Sequence, residues 1–146
     1  MLPVICGAII GICILRIRDK HASRSITHEL YSDLLQLFHT NYRFTGYLEP
    51  LNNINILKEL VMVEDSESYT INKRVIHLCT RDPRNGKMYD KNTLMFVVLH
   101  ELAHVLCSEI GHTTNFLNIN TALIQYAVSR GFYDPTKPFI KNYCQI

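Results

Sequence analysis

The sequence predicts an α+β domain, with a small antiparallel sheet packed on one buried helix and on further helices, behind an apolar N-terminal segment. Three observations predict it. Apolar residues recur at helical spacing early and late in the chain, two short strand-like runs lie between them, and one helical stretch is apolar almost all round. The 146 residues fit one domain, and 47% hydrophobic with 19% charged residues is a globular composition. A net charge of +2 is too mild to mark a nucleic-acid face, so nucleic acid is not an expected partner.

The chain opens on "MLPVICGAIIGICIL". Leu2 to Leu15 carry no charge, and Arg16, Arg18, Lys20 and Arg24 follow. As a helix this run would span roughly 21 Å, short of the ~30 Å hydrocarbon core, though Ile17 and snorkelling arginines extend it. Residues 2–17 are thus a candidate membrane anchor within a hydrophobic segment 1–20. The basic flank would put the remaining domain, 21–146, on the cytoplasmic side. The competing expectation is a helix buried in the core or in an assembly. A cleaved signal peptide fits poorly, for want of a basic start and a small-residue cleavage site.

Next, "SITHELYSDLLQLFHTNY" reads as a helix through Ile26, Leu30, Leu34, Leu37 and Phe38, with Ser25 or Thr27 as its cap. Gly46 and Pro50 break the pattern. "LNNINILKELVMVED" reads as a second, shorter helix through Leu51, Ile54, Leu57 and Leu60, with an ambiguous β-branched end. Strands are expected at Tyr69 to Asn72 and at Val75 to Thr80, followed by a reversal at Pro83, Asn85 and Gly86. Arg81, Arg84, Lys87 and Lys91 around that reversal read as a solvated turn. A buried helix then starts at Asp90 or Asn92 and ends at Gly111. A last helix, capped by Thr113 or Thr114, ends at Arg130 and Gly131, and an extended tail closes the chain.

Five cysteines, Cys6, Cys13, Cys79, Cys107 and Cys144, form no CxxC pair. Their odd number excludes a complete internal disulfide framework, so reduced, mostly buried thiols are expected.

The chemistry lies in "HELAHVLCSEIGHTTNF", His100 to Phe116. His100 and His104 are four apart, about 40° and ~6 Å on a helix, so both imidazoles share one face and can hold one cation. Glu101, about 100° round, can reach a metal-activated water without binding the metal. This is HExxH, two zinc ligands and a general base. Ionisable groups on an apolar helix are costly unless paired or liganded. A catalytic zinc wants a third protein ligand and an open position. His112, after the Gly111 break, is the expected third ligand, whereas Glu109 on a continuous helix would face away from His100. Cys107, near the same face, is the competing ligand, and either Cys107 or Cys144 as a fourth ligand would favour a purely structural site. His77 is expected to have no role in the site, and His21, His28 and His39 to be exposed.

"VIHLCTRDPRNGKMYDKNTLMFVVLHELAHVLCSEIGHTTNF" resembles the core of WLM-type metallopeptidases, relatives of the SprT-like proteases, and most of all the small versions encoded by large DNA viruses. The likeness covers about Ser68 to Gly131, from the strand to HELAH and Gly111-His112 with Phe116. It implies a minimal zincin-like fold with Zn²⁺ on His100, His104 and His112 and Glu101 as base. It also implies a zinc metalloendopeptidase of host cytoplasm or virion, acting on a protein or peptide substrate. The chain departs at Asn115, where the family often has an acidic residue, and shows no DNA-binding or ubiquitin-binding module. An extended substrate is expected along the edge of Val75 to Thr80. Tyr126, Tyr133 and Tyr143 are candidates to stabilise the oxyanion. The rival expectation is a virion- or membrane-associated structural protein that keeps the zinc site without turnover.

Overall fold

A computed structural model describes residues 25–145. The first helix, α1 (Ile26–Leu37), begins where Ser25 Oγ accepts the His28 amide at 3.4 Å, and it buries Leu30, Leu34 and Leu37. That i, i+4, i+7 spacing forms one apolar stripe, so α1 lies on the core with its polar face outward. The expected hydrophobic helix at residues 2–17 falls outside the described residues. Among the described residues, no helix is long and apolar enough to cross a membrane.

The second expected helix is corrected. Residues Gly46–Asn52 form a 3₁₀ helix, α2 (Asn55–Lys58) is a single turn, and the chain then extends as strand β1 (Val61–Glu64). Val61 and Val63 resist helix and fit a pleated surface, and a neighbouring strand is available to take their backbone bonds. That neighbour is β3 (Val75–Leu78), preceded by β2 (Tyr69–Ile71).

The sheet order is β1-β3-β2. The β1–β3 pair is parallel, Val61 opposite Val75, and β2–β3 is antiparallel, Tyr69 opposite His77. The expected antiparallel sheet is therefore a mixed one, because the missed strand β1 pairs in parallel. Both edges of β3 are occupied, so the substrate edge expected on Val75 to Thr80 does not exist. Among the described residues, the free edges belong to β1 and β2.

The helix that carries His100 and His104, α3 (Lys91–Leu106), is capped by Asp90, whose carboxylate accepts the Thr93 amide at 2.9 Å and the Thr93 hydroxyl at 2.7 Å. It packs against α1, the sheet and α4 (Thr114–Ser129). Leu94, Val98, Leu99 and Leu102 are fully buried among Ile76, Leu78, Phe116 and Leu123. Being enclosed on several sides explains why α3 is apolar nearly all round. The reversal at Pro83 to Gly86 forms as expected, but its basic residues are partly neutralised. Arg84 makes a two-pronged bond to Asp82 at 2.9 and 2.8 Å, and Lys91 pairs with Asp33 at 2.7 Å.

The cysteines depart from the expected free thiols. Cys79, at the end of β3, and Cys144, in the tail, form a disulfide with Cα atoms 6.3 Å apart, inside the range a disulfide spans. Cys107 is buried and has no disulfide partner among the described residues.

Candidate metal centre

Helix α3 carries His100 and His104 one turn apart, and the loop after it returns His112 to the same point. Gly111 makes that return: its φ of +83° is a left-handed conformation that side-chain-bearing residues resist. Thr113 then caps α4, its Oγ1 accepting the Phe116 amide at 3.2 Å. Phe116, fully buried, lies beneath the three imidazoles. Its ring stacks on His104 at 4.2 Å and meets His112 and His100 at 4.8 and 5.0 Å.

The three expected ligands converge. His112 Nε2 is 3.2 Å from His104 Nε2 and 3.2 Å from His100 Nε2. One ligand atom from each of the three lies within 4.8 Å of the others. The donor set fits zinc: a tetrahedral ion with bonds of about 2.0–2.1 Å to nitrogen separates its ligand atoms by roughly 3.3 Å. Cys107 is corrected as a competing ligand. Its thiol is buried toward Glu109 Oε2 at 3.9 Å and the Asn115 side chain at 3.6 Å, outside the histidine group. Cys144 is committed to Cys79.

Glu101, buried on α3, adjoins the group. Thr70 on β2 donates its hydroxyl to Glu101 Oε2 at 2.7 Å, with the Glu101 carbonyl at 3.2 Å. Burial raises the Glu101 carboxyl above the ordinary carboxylate range, and the Thr70 bond opposes part of that shift. Burial also depresses His100 to about 4, with repulsion from His104 and His112 adding to it. His104 is lowered by burial and then by His112 and Lys73. Neutral imidazoles offer the lone pairs that a metal requires.

The depressed His100 has a consequence for stability. Its folded value of about 4 lies below the 6.5 of an unperturbed imidazole, so between those limits the unfolded chain binds more protons. Stability of the metal-free protein should therefore fall as pH drops from about 6.5 toward 4. Urea midpoints across that range should show a shallower slope in His100→Gln; equal slopes would refute the depressed value.

A cleft of about 580 Å³ opens over these groups, lined in part by Ser68, Tyr69, Thr70, Lys73, Glu109 and Ile110. Glu109 is a correction. Because α3 ends at Leu106, it is not on the helix at all, and it reaches the cleft wall while accepting the Thr113 hydroxyl at 2.9 Å. Lys73 and Thr70 escaped the sequence reading. The Lys73 ammonium donates to the carbonyls of His104 (3.1 Å) and Cys107, holding the C-terminal end of α3. Tyr126, Tyr133 and Tyr143 do not line the cleft. Tyr143 is turned to Ser68 Oγ at 2.9 Å and the Cys79 carbonyl. His77 stays apart, bonded to Asp65 at 2.8 Å and stacked on Tyr69 at 4.3 Å. His28 and His39 are exposed as expected, and His21 lies outside the described residues.

The chain is 52% identical to uncharacterized protein 042R of Invertebrate iridescent virus 3 over 155 residues, 98% of each chain. The chain belongs to this viral protein family. A second relative is uncharacterized protein 136R of Invertebrate iridescent virus 6, 47% identical over 88% of the chain and 75% of the relative. Uncharacterized protein R325 of Acanthamoeba polyphaga mimivirus is 36% identical over 82% of the chain and 60% of its own length. No family model and no solved structure matches the chain.

Proposed function

We propose that this viral protein is a zinc-dependent peptidase of the WLM type with a minimal zincin-like fold. His100, His104 and His112 hold Zn²⁺ and Glu101 serves as general base. The observation that carries the reading is the convergence of three imidazole nitrogens beside a buried carboxylate in an open cleft. Bound zinc supplies Lewis-acid polarisation and an acidified water.

The chain's own residues supply the rest. Glu101 takes a proton from the attacking water as the water oxygen bonds to the peptide carbonyl carbon. It returns that proton to the amine nitrogen as the C–N bond breaks. A carboxyl raised by burial is suited to both transfers, because it is a stronger base toward the attacking water than an ordinary carboxylate and, once protonated, holds the proton long enough to deliver it to the leaving amine. Phe116 stiffens the imidazole cluster, and Lys73 anchors the helix end beside His104. An extended protein substrate pairs along the free edge of β2, whose Tyr69 and Thr70 border the cleft. Residues 2–17 are proposed as a membrane anchor, with the domain on the cytoplasmic side in the host cell or virion.

The test is metal content of the full-length chain by mass spectrometry beside His112→Ala. About one zinc per chain is expected in the parent and much less in the variant. A folded parent without zinc would sink the reading, and equal zinc in both would move the third ligand elsewhere. A structural protein with a closed zinc site needs a fourth protein ligand, and among the described residues the group has three.

A further inference from the structure

We propose that Thr70 is a positioning residue for Glu101, determining which carboxylate oxygen takes the proton; this rests on the peptidase reading above. Thr70 lies opposite Ile76 in the β2–β3 register, and Ile76 is fully buried against the core. Cross-strand partners share a face, so the Thr70 side chain turns inward to α3 rather than to solvent. Its hydroxyl meets Glu101 Oε2 at 2.7 Å. Oε1 has no hydrogen bond among the described residues, which leaves it as the oxygen free to accept a proton.

A glutamate carboxylate rotates broadly about its last torsion, with no strong minimum of its own. A bond from a sheet residue removes that freedom. The same hairpin grips α3 again through Lys73, whose ammonium reaches the His104 carbonyl. One hairpin thus indexes both the base and a ligand-bearing turn of the helix. Because β2 also borders the cleft, the base and an extended substrate take their positions from the same strand. Proton transfer tolerates little misplacement, so this common reference acts on turnover rather than on binding.

The experiment uses the full-length chain with Thr70→Val, which keeps the branched shape, and Thr70→Ser, which keeps the hydroxyl. Four quantities are read for each: zinc per chain, thermal midpoint, kcat and KM on a library of unfolded peptides, and the Glu101 ¹³Cδ chemical shift in metal-free protein. Thr70→Val should lower kcat about tenfold, the equivalent of one hydrogen bond. KM, zinc content and midpoint should stay unchanged, while the carboxylate shift moves. Thr70→Ser should restore kcat and the shift. An unmoved shift in Thr70→Val, or an unchanged kcat, overturns the positioning role and leaves the peptidase reading intact. Parallel loss of zinc and midpoint assigns Thr70 a structural role instead. A zinc-loaded parent that cleaves nothing while its shift responds to Thr70→Val overturns the peptidase reading itself.

Discussion

Glu101→Gln should bind zinc as the parent does and lose about 10²–10⁴ in kcat, the usual contribution of a positioned general base. Glutamine has the same shape, and its amide oxygen can still accept the Thr70 hydroxyl that now bonds Oε2. It cannot take a proton from water. Zinc should be retained because Glu101 is not among the three converging ligands. Folding should not suffer: burial disfavours the ionised carboxylate, so a neutral amide relieves the cost the parent carries near neutral pH. The pattern to look for is therefore intact zinc, an equal or higher thermal midpoint, and collapsed turnover on unfolded peptides. Parent-like hydrolysis in Glu101→Gln would refute the general-base mechanism, whatever the metal content.

The second large effect concerns the tail. Cys79 and Cys144 are separated by 65 residues, and closing a loop of that length removes about 4 kcal/mol of unfolded-chain entropy on the loop model. Cys144→Ser should lower the unfolding free energy by about that much, a large part of the ~5–15 kcal/mol that holds an ordinary domain. Reductant should do the same to the parent and nothing more to the variant, since both remove one constraint. The native state should survive, because the tail has other ties. Tyr143 bonds Ser68 and the Cys79 carbonyl, and the Cys144 amide donates to Tyr89 at 2.9 Å. Urea unfolding of parent and variant, with and without reductant, reads the effect. A parent midpoint indifferent to reductant would mean that these two cysteines act as free thiols.

Much of the centre was legible in the sequence because helix periodicity is local. A spacing of four from His100 to His104 suffices to put both on one face, and Gly111 before His112 signals a return of the chain. Each cap was legible to within two candidates, and the structure selects Ser25 over Thr27, Asp90 over Asn92 and Thr113 over Thr114, each acting on an amide three residues away. Glu109 was misplaced because the α3 pattern was extended past Leu106 to the glycine. The chain leaves the helix at Cys107, whose ψ of 129° is extended.

The sheet was less legible. "NILKELVMV" satisfies a helical pattern and a strand pattern in succession, and only a partner decides between them. Once β3 is available, Val61 to Glu64 gain a ladder and become a strand; that pairing makes the sheet mixed and encloses β3 on both sides. The Cys79–Cys144 link has no sequence signal either, since five cysteines of odd number name no pair.

By itself, then, the sequence determined the α+β class, the helix that carries HExxH, and the three histidines that converge next to Glu101. Those follow from spacing along a single element. The tertiary structure alone decided which strand edge is free, which hydroxyl reaches Glu101, and which cysteine meets Cys79. Each joins residues 31 or 65 positions apart or depends on a strand partner, and no local periodicity records such a meeting.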